Sequence, residues 1–418
     1  MIMREMKDSG ISWVGEIPKE WTIMPLYCFY SERKNKNIFG AENNLLSLSY
    51  GKVIRKDINT SEGLQPSNYN GYNIVEAGDI IIRPTDLQND KRSLRTGLSK
   101  ERGIITSAYI ALKPKNGINS RFYHYLLHTY DILKVFYNMG NGVRQGLNYD
   151  EFAKLMVYSP SDTEQQKIAD FLDRECGKID GLKADIQAQI DTLEQYKRSV
   201  ITEAVTHGLN PSAPMKDSGI PWVGQFPTHW TKKKGKYILR YMSKPVKQDD
   251  GVITCFRDGE VTLRSNRRED GFTMADKEIG YQGVDVGDLV VRGMDGFAGA
   301  IGISDSRGKA SPVLNVLNTK QNKKYIMYYL RSMAYGEVFT ALSTGIRVRS
   351  CDLRWNKLAE LLYPLPPIDE QNNIVNYIDE QIARTNEIIA DKKSQIETLD
   401  GYKKSLIYEY VTGKKEVV

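Results

Sequence analysis

Apolar residues recur every seven positions along residues 163–206: Leu172, Ile179, Ile186, Leu193 and Val200 form the repeat, and Ile168, Leu182 and Tyr196 fill much of a neighbouring seam position. Such spacing belongs to a helix that lies along a partner helix. The stretch occurs twice. Residues 369–412 align with it without a gap at a constant shift of 206, so that Ile168 answers to Ile374, Ile190 to Ile396, Leu193 to Leu399 and Tyr196-Lys197 to Tyr402-Lys403. Two equal stripes in one chain can pair with each other, and the pattern predicts an antiparallel coiled coil of two long helices. Thr163 with Gln166 makes a capping box, and Asp369 can cap the second helix just after Pro366-Pro367. Acidic residues open each run, and Lys197-Arg198 or Lys403-Lys404 come towards its end, as the helix dipole favours. Gly177, Gly181 and Gly401 each cost about 1 kcal/mol relative to alanine, so packing must outweigh them. A helix of this extent would be about 66 Å long, more than one compact domain needs. Gln189 and Gln395 occupy equivalent seam positions, where they either enforce one register or simply face solvent.

The rest of the chain is also written twice. MKDSGISWVGEIPKEWT (Met6 to Thr22) returns as MKDSGIPWVGQFPTHWT (Met215 to Thr231), pairing Trp13 and Trp21 with Trp222 and Trp230. Two tryptophans among glycine and proline turns are expected to clamp the start of a domain rather than to carry chemistry. Between clamp and helix lie residues 23–159 and 232–365, mostly dissimilar in sequence. One signpost survives: GYNIVEAGDIIIR (Gly71 to Arg83) answers to GYQGVDVGDLVVR (Gly280 to Arg292), a turn leading into a buried strand that ends in an arginine. A further basic signal follows in each half, NGVRQGL with Arg144 and TGIRVRS with Arg347 and Arg349. The expected fold class is α+β, with two globular α/β domains separated by two long helices and related by an internal pseudo-twofold repeat. The boundaries expected are 1–159 and 211–365 for the globular domains, 160–210 and 366–418 for the helices.

Composition changes this picture little, but charge distribution does. The formal net charge is +6, while the two helical runs carry −3 and −4, which leaves +13 on the globular parts. A basic excess confined there suits a polyanionic partner. No apolar run approaches the length of a membrane span, and the opening MIMREMKDSG is too polar for a secretory signal, so the expected location is the cytoplasm with no membrane partner. The four cysteines form no CxxC pair, and His124 and His128, although at helical i,i+4 spacing, have no acidic companion of the zinc-protease kind; no metal site is expected. An Asn/Asp-Pro-Pro-Tyr/Phe loop of adenine methyltransferases is missing, GFAGAIG (Gly296 to Gly302) has the wrong spacing for a dinucleotide fingerprint, and Arg307 to Ala310 lacks the flanks of a phosphate loop. The chain is expected to have no active site and no cofactor of its own.

Two DSGI openings (from Asp8 and Asp217), two P-x-x-x-E-Q helix starts (Pro160 to Gln165, Pro366 to Gln371) and two Y-K-x-S-x-I-x-E-x-V-T helix ends resemble, over the full length, the specificity subunit of type I restriction-modification systems. The resemblance implies two target-recognition domains, each reading one half of a bipartite asymmetric site in double-stranded DNA, with the helices fixing the gap. It also implies two methyltransferase subunits that methylate adenine at N6 with S-adenosylmethionine, and two ATP- and Mg-dependent restriction/translocase subunits. Those cofactors would belong to the partners. The rival expectation is a coiled-coil scaffold that binds proteins and no DNA, against which the basic excess argues.

Lysine and arginine grip phosphates, while arginine reads guanine and asparagine or glutamine reads adenine in the major groove. In the first domain the candidates are Arg83, Gln88, Asn89, Lys91, Arg92, Arg95, Lys100, Arg102 and Arg144. In the second they are Arg264, Asn266, Arg267, Arg268, Arg292, Arg347 and Arg349.

Overall fold

The structure is a computed structural model describing residues 4–59, 66, 68–85, 87, 94–139, 146–267, 279–294, 296–341 and 353–417. The chain forms two compact units, Met1–Ile186 with Ser394–Val418, and Gln187–Lys393. Each unit therefore contains one globular fold and a part of both long helices.

The first unit opens with the hairpin β1 (Met6–Asp8) and β2 (Glu16–Pro18). Its DSGI turn explains itself chemically. The Asp8 carboxylate accepts the Gly10 amide at 3.0 Å, Gly10 takes a φ of 65°, and the Ser9 hydroxyl accepts the Ile11 amide at 3.1 Å while donating to the Gly15 carbonyl. Asp217, Ser218 and Gly219 repeat the same bonds in the second unit. Behind each turn stands the second tryptophan of the clamp. Trp21 is 1% exposed and donates its indole N–H to Glu164 at 3.0 Å; Trp230 is wholly buried and donates to Glu370 at 3.0 Å. The next residue, Gln165 or Gln371, turns back onto the carbonyl of Pro160 (3.0 Å) or Pro366 (2.9 Å). The P-x-x-x-E-Q signature is thus a helix start bolted to the clamp.

Beyond the clamp come β3 (Thr22–Pro25), β4 (Tyr30–Glu32), β5 (Leu46–Ser49), β6 (Lys52–Arg55), β7 (Asn73–Val75), β8 (Ile80–Ile82), β9 (Thr96–Leu98), β10 (Gly103–Ile105), β11 (Ile110–Pro114), α1 (Ser120–Ile132) and β12 (Met156–Ser159). The central sheet has the order β4-β11-β8-β9, all antiparallel. In the Gly-Asp signpost, Asp79 is buried, caps the turn by accepting the Glu76 amide at 2.8 Å, and pairs with Arg33; all three isoleucines of β8 then enter the core. Asn119 caps α1, whose inner face buries Phe122, Tyr123, Leu126, Leu127 and Tyr130.

The second unit repeats this plan with different residues. After the hairpin β13 (Met215–Asp217) and β14 (Gln225–Pro227) come β15 (Thr231–Lys234), β16 (Leu239–Tyr241), β17 (Ile253–Cys255), β18 (Val261–Leu263), β19 (Gln282–Val284), β20 (Leu289–Arg292), β21 (Ile301–Ile303), β22 (Gly308–Ala310), β23 (Leu314–Thr319), α3 (Lys323–Tyr335) and β24 (Leu362–Leu365). Here the sheet order is β16-β23-β20-β21, matching the first unit strand for strand. Asp288 takes the place of Asp79, accepting the Asp285 amide at 2.8 Å and pairing with Lys244 at 2.6 Å. Asn322 caps α3 as Asn119 caps α1.

The long helices are α2 (Asp162–His207) and α4 (Ile368–Val411). In the first unit Asp180 pairs with Lys403 at 2.6 Å, Lys183 with Asp400, and Phe171 stacks near Tyr410 at 4.3 Å between centroids. In the second unit Lys197 donates to Asn386 at 2.8 Å and Lys392 to Gln189. As one residue number rises its partner's falls, so the helices run antiparallel in a coiled coil.

One detail of the seam differs from expectation. Leu172, Cys176, Ile179, Ile186, Ile190 and Leu193 turn inward with Lys183 and Lys197 among them, whereas Leu182 and Tyr196 are 53% and 47% exposed, and Gln189 and Gln395 also face solvent. The second seam position lies one residue later than apolarity alone suggests. A lysine can lie along the seam on its methylenes and deliver its ammonium to an acceptor on the other helix. The glutamines therefore do not sit in the seam.

Candidate nucleic-acid interface

The candidates among the described residues fall on turns and strand ends that follow the clamp. Arg83 and Arg292 occupy equivalent places at the ends of β8 and β20, each partly exposed. Their backbone amides bond to the carbonyls of Arg95 (2.9 Å) and Ala300 (3.0 Å), which fixes where the side chains depart.

Arg95 departs from expectation. It is wholly buried, donates to the Thr85 carbonyl and lies over the Tyr137 ring at 5.3 Å; its own amide is held by Asp131. This guanidinium is held inside the fold at the start of β9 rather than on its surface. Lys100 is exposed just beyond β9. Arg102 is exposed and forks between Glu42 at 3.0 Å and Glu76 at 2.5 Å. Gln88, Asn89, Lys91, Arg92 and Arg144 lie outside the described residues, as do Arg268, Arg347 and Arg349.

In the second unit a single turn after the hairpin β17–β18 brings three candidates together. Arg264 donates to Thr254 at 3.3 Å, Asn266 donates to Thr262 at 2.8 Å, and Arg267 lies 4.1 Å from the centroid of Phe256 while pairing with Asp258 (2.8 Å) and Glu260 (3.0 Å). An arginine stacked on a ring and forked between carboxylates is pre-oriented, so a phosphate or guanine edge arriving there competes for a fork already in shape.

Other charges that sequence reading passed over are structural. Arg307 and Lys244 share Asp285, and Arg307 also holds Asp250 at 2.9 Å. Hydrogen bonds from Lys244 and then Arg307 pull the Asp285 carboxyl down to about 2. An exposed basic strand was also missed: the lysines of β15, Lys232 to Lys234, followed by Lys236 and the 72%-exposed Tyr237. The run KKKGK was visible in the sequence, but it follows the clamp repeat and lacks a counterpart in the first half.

His124 and His128 lie on α1 with ring centroids 5.8 Å apart, and Nδ1 of His128 is 3.3 Å from the Thr96 hydroxyl. Burial, then each other's charge and Lys100, press His124 down to about 3; burial, then Lys403 and Lys404, press His128 down to about 4. Among the described residues no cluster of His, Cys, Asp and Glu could hold a metal ion. Both rings are neutral in the fold, while an unfolded histidine titrates near 6.5. The unfolded state therefore takes up protons first. The pair's contribution is full above pH about 6.5 and is lost as pH falls towards 4. Denaturant melts at pH 7 and pH 5 should show the first unit losing stability, and His128→Gln should flatten that pH dependence.

Comparison with known proteins agrees with this architecture. Residues 31–192 match the type I restriction modification DNA specificity domain family. A curated Methanocaldococcus jannaschii protein, described as the specificity subunit of the type I restriction enzyme MjaX, is 22% identical over 435 residues, spanning 97% of this chain and 96% of that one. A chain from a solved structure on assembly and conformational transition of the type I R-M system shares the fold, with a TM-score of 0.65 at 12% identity over 96% of this chain and 99% of that one. The HsdS subunit from Thermoanaerobacter tengcongensis aligns over 96% of this chain and 98% of its own at 13% identity and a TM-score of 0.46. Among the described residues no helix is long and apolar enough to cross a membrane. Residues 31–192 are thus similar to a type I restriction modification DNA specificity domain, and nearly the whole chain is similar to a type I specificity subunit.

Proposed function

We propose that each unit reads one half of a bipartite, asymmetric site in double-stranded DNA, and that α2 and α4 set the distance between the halves. Two methyltransferase subunits dock on the helices and methylate adenine N6 with S-adenosylmethionine, and two restriction/translocase subunits using ATP and Mg complete the assembly in the cytoplasm. The observation that carries this reading is one fold built twice with unlike contents. Clamp, sheet order, capped helix and long helix recur in both units, yet residues 23–159 and 232–365, which hold the basic stretches 84–103 and 257–270, are mostly dissimilar in sequence. A scaffold would gain nothing from repeating the frame and changing the contents of both globular folds.

The Arg267 turn offers the test. A bidentate base contact supplies about 1–3 kcal/mol of discrimination. Arg267→Ala should weaken or relax reading at one half-site, by about 5- to 150-fold, and leave the other half-site intact. Methylation or binding assays on duplexes varied one base pair at a time measure this, and equal loss at both half-sites would contradict the assignment.

A further inference from the structure

The turn after β4 and the turn after β16 are anchored alike, yet their tips carry different chemistry. In the first unit the Asn35 carbonyl accepts the Ile74 amide at 2.6 Å and the Asn44 carbonyl accepts the Ile104 amide at 2.8 Å. The second unit repeats both bonds, from Gly283 to Lys244 at 2.9 Å and from Lys309 to Gly251 at 2.8 Å. An arginine braces each turn from the side. Arg102 forks between Glu42 of the turn and Glu76 just past β7, and Arg307 forks between Asp250 of its turn and Asp285 just past β19. Between the anchors the first unit has eight residues, 36–43, and the second has six, 245–250. The shorter tip is crowned by Lys247, Gln248 and Asp249, all exposed. The longer one presents Ile38 and Phe39, which are 58% and 94% exposed.

Phe39 does nothing for the fold. A φ of 61° places this bulky residue in the left-handed region, which glycine or asparagine enters at less cost, and the ring buries almost nothing in return. Nor is the tip loosely held. The buried Asn37 side chain closes it, donating to the Glu42 carbonyl and accepting the Glu42 amide, both at 2.9 Å. The Glu42 carboxylate then accepts the amides of Asn43 and Asn44, each at 3.0 Å. Strain held in place this firmly points to a function for the strained residue.

We infer that Phe39 is a specificity-determining wedge, which enters the base stack of the first unit's half-site and stacks on a base there. The inference rests on the DNA-reading role proposed above and adds a residue and a mode of reading to it. A phenyl ring offers no hydrogen bond to a base edge. What a rigid apolar tip can do is insert at a step that unstacks easily, so that the sequence is read through its deformability. The tip of the second unit, with Lys247 and Gln248, has groups for a phosphate and a base edge instead. The wedge therefore serves one half-site only.

The full chain with its host's modification subunits, bound to duplexes of its bipartite motif in which 2-aminopurine replaces successive bases, tests this. Besides the signal at the target adenine, which a methyltransferase extrudes, the unaltered complex should brighten the probe at one further step in one half-site. Phe39→Asn should abolish that second signal and weaken binding by about 5- to 150-fold, the loss expected for one ring stacked on a base. Phe39→Tyr keeps the ring and should retain both. Phe39→Asn should also melt no lower than the unaltered chain, because asparagine accepts the left-handed backbone and no packing is lost. Unchanged brightening and binding in Phe39→Asn would overturn the inference and leave the DNA-reading role standing. A Phe39→Asn chain that melts lower, or loses a modification subunit, while binding its motif normally would overturn it too, by giving the ring a structural or protein-binding role. An unaltered complex that binds no bipartite duplex would instead refute the reading role itself, and the wedge with it.

Discussion

Trp21→Ala should destabilise the first unit by about 3–5 kcal/mol, the usual cost of deleting a large aromatic from a filled core. The ring is 1% exposed, stacks on Tyr158 at 5.6 Å, meets Phe122 edge-on at 6.4 Å and carries the Arg4 guanidinium at 5.4 Å. Its indole N–H holds Glu164, which Arg4 also grips, so the substitution both opens a cavity and loosens the start of α2. Gly413, with φ 69°, closes the far side: a side chain there would collide with Pro18 and the Trp21 ring. Trp21→Phe keeps most of the packing and loses the hydrogen bond, so its cost should fall to about 1–3 kcal/mol. Calorimetric melting distinguishes the two. A Trp21→Ala chain melting like the unaltered one would show the clamp to be dispensable.

Removing one heptad from both long helices should have the largest effect on function. Residues 187–193 and 390–396 are the matching segments, because Asp180–Lys403 and Lys183–Asp400 on one side and Lys197–Asn386 on the other keep their partners after the double deletion. Seven residues shorten a helix by about 10.5 Å, equivalent to about 3 base pairs at 3.4 Å per step. The bases read should stay the same while the gap between them contracts by about that number. Mapping the methylated motif of the doubly shortened chain measures it. Deletion in only one helix should break the seam pairs and abolish activity.

The outline of this molecule was legible because repetition exposes function that single elements hide. The seven-residue pattern gave both helices, the 206-residue shift their equivalence, and the Gly-Asp turns the buried strands β8 and β20. Equivalence of the globular folds was harder to see, since α1 and α3 share a cap and an aromatic inner face but little sequence. The seam was misplaced by one residue because lysine does not count as apolar, although its methylenes pack as though it were. Arg95 was misread for a related reason. A guanidinium satisfied by a carbonyl and a tyrosine ring is indistinguishable in sequence from one waiting for phosphate. Arg264, Asn266 and Arg267, neighbours in sequence after a hairpin, stay neighbours in space because one short turn holds all three.

The most direct test of the central claim is a genome-wide map of N6-methyladenine in a host with and without this chain. Loss of methylation at a single bipartite motif on deletion is the predicted result, and it would deliver both half-sites and their spacing together. An unchanged map, in a host whose modification subunit is demonstrably active, would contradict the assignment of this chain as the reader of that motif.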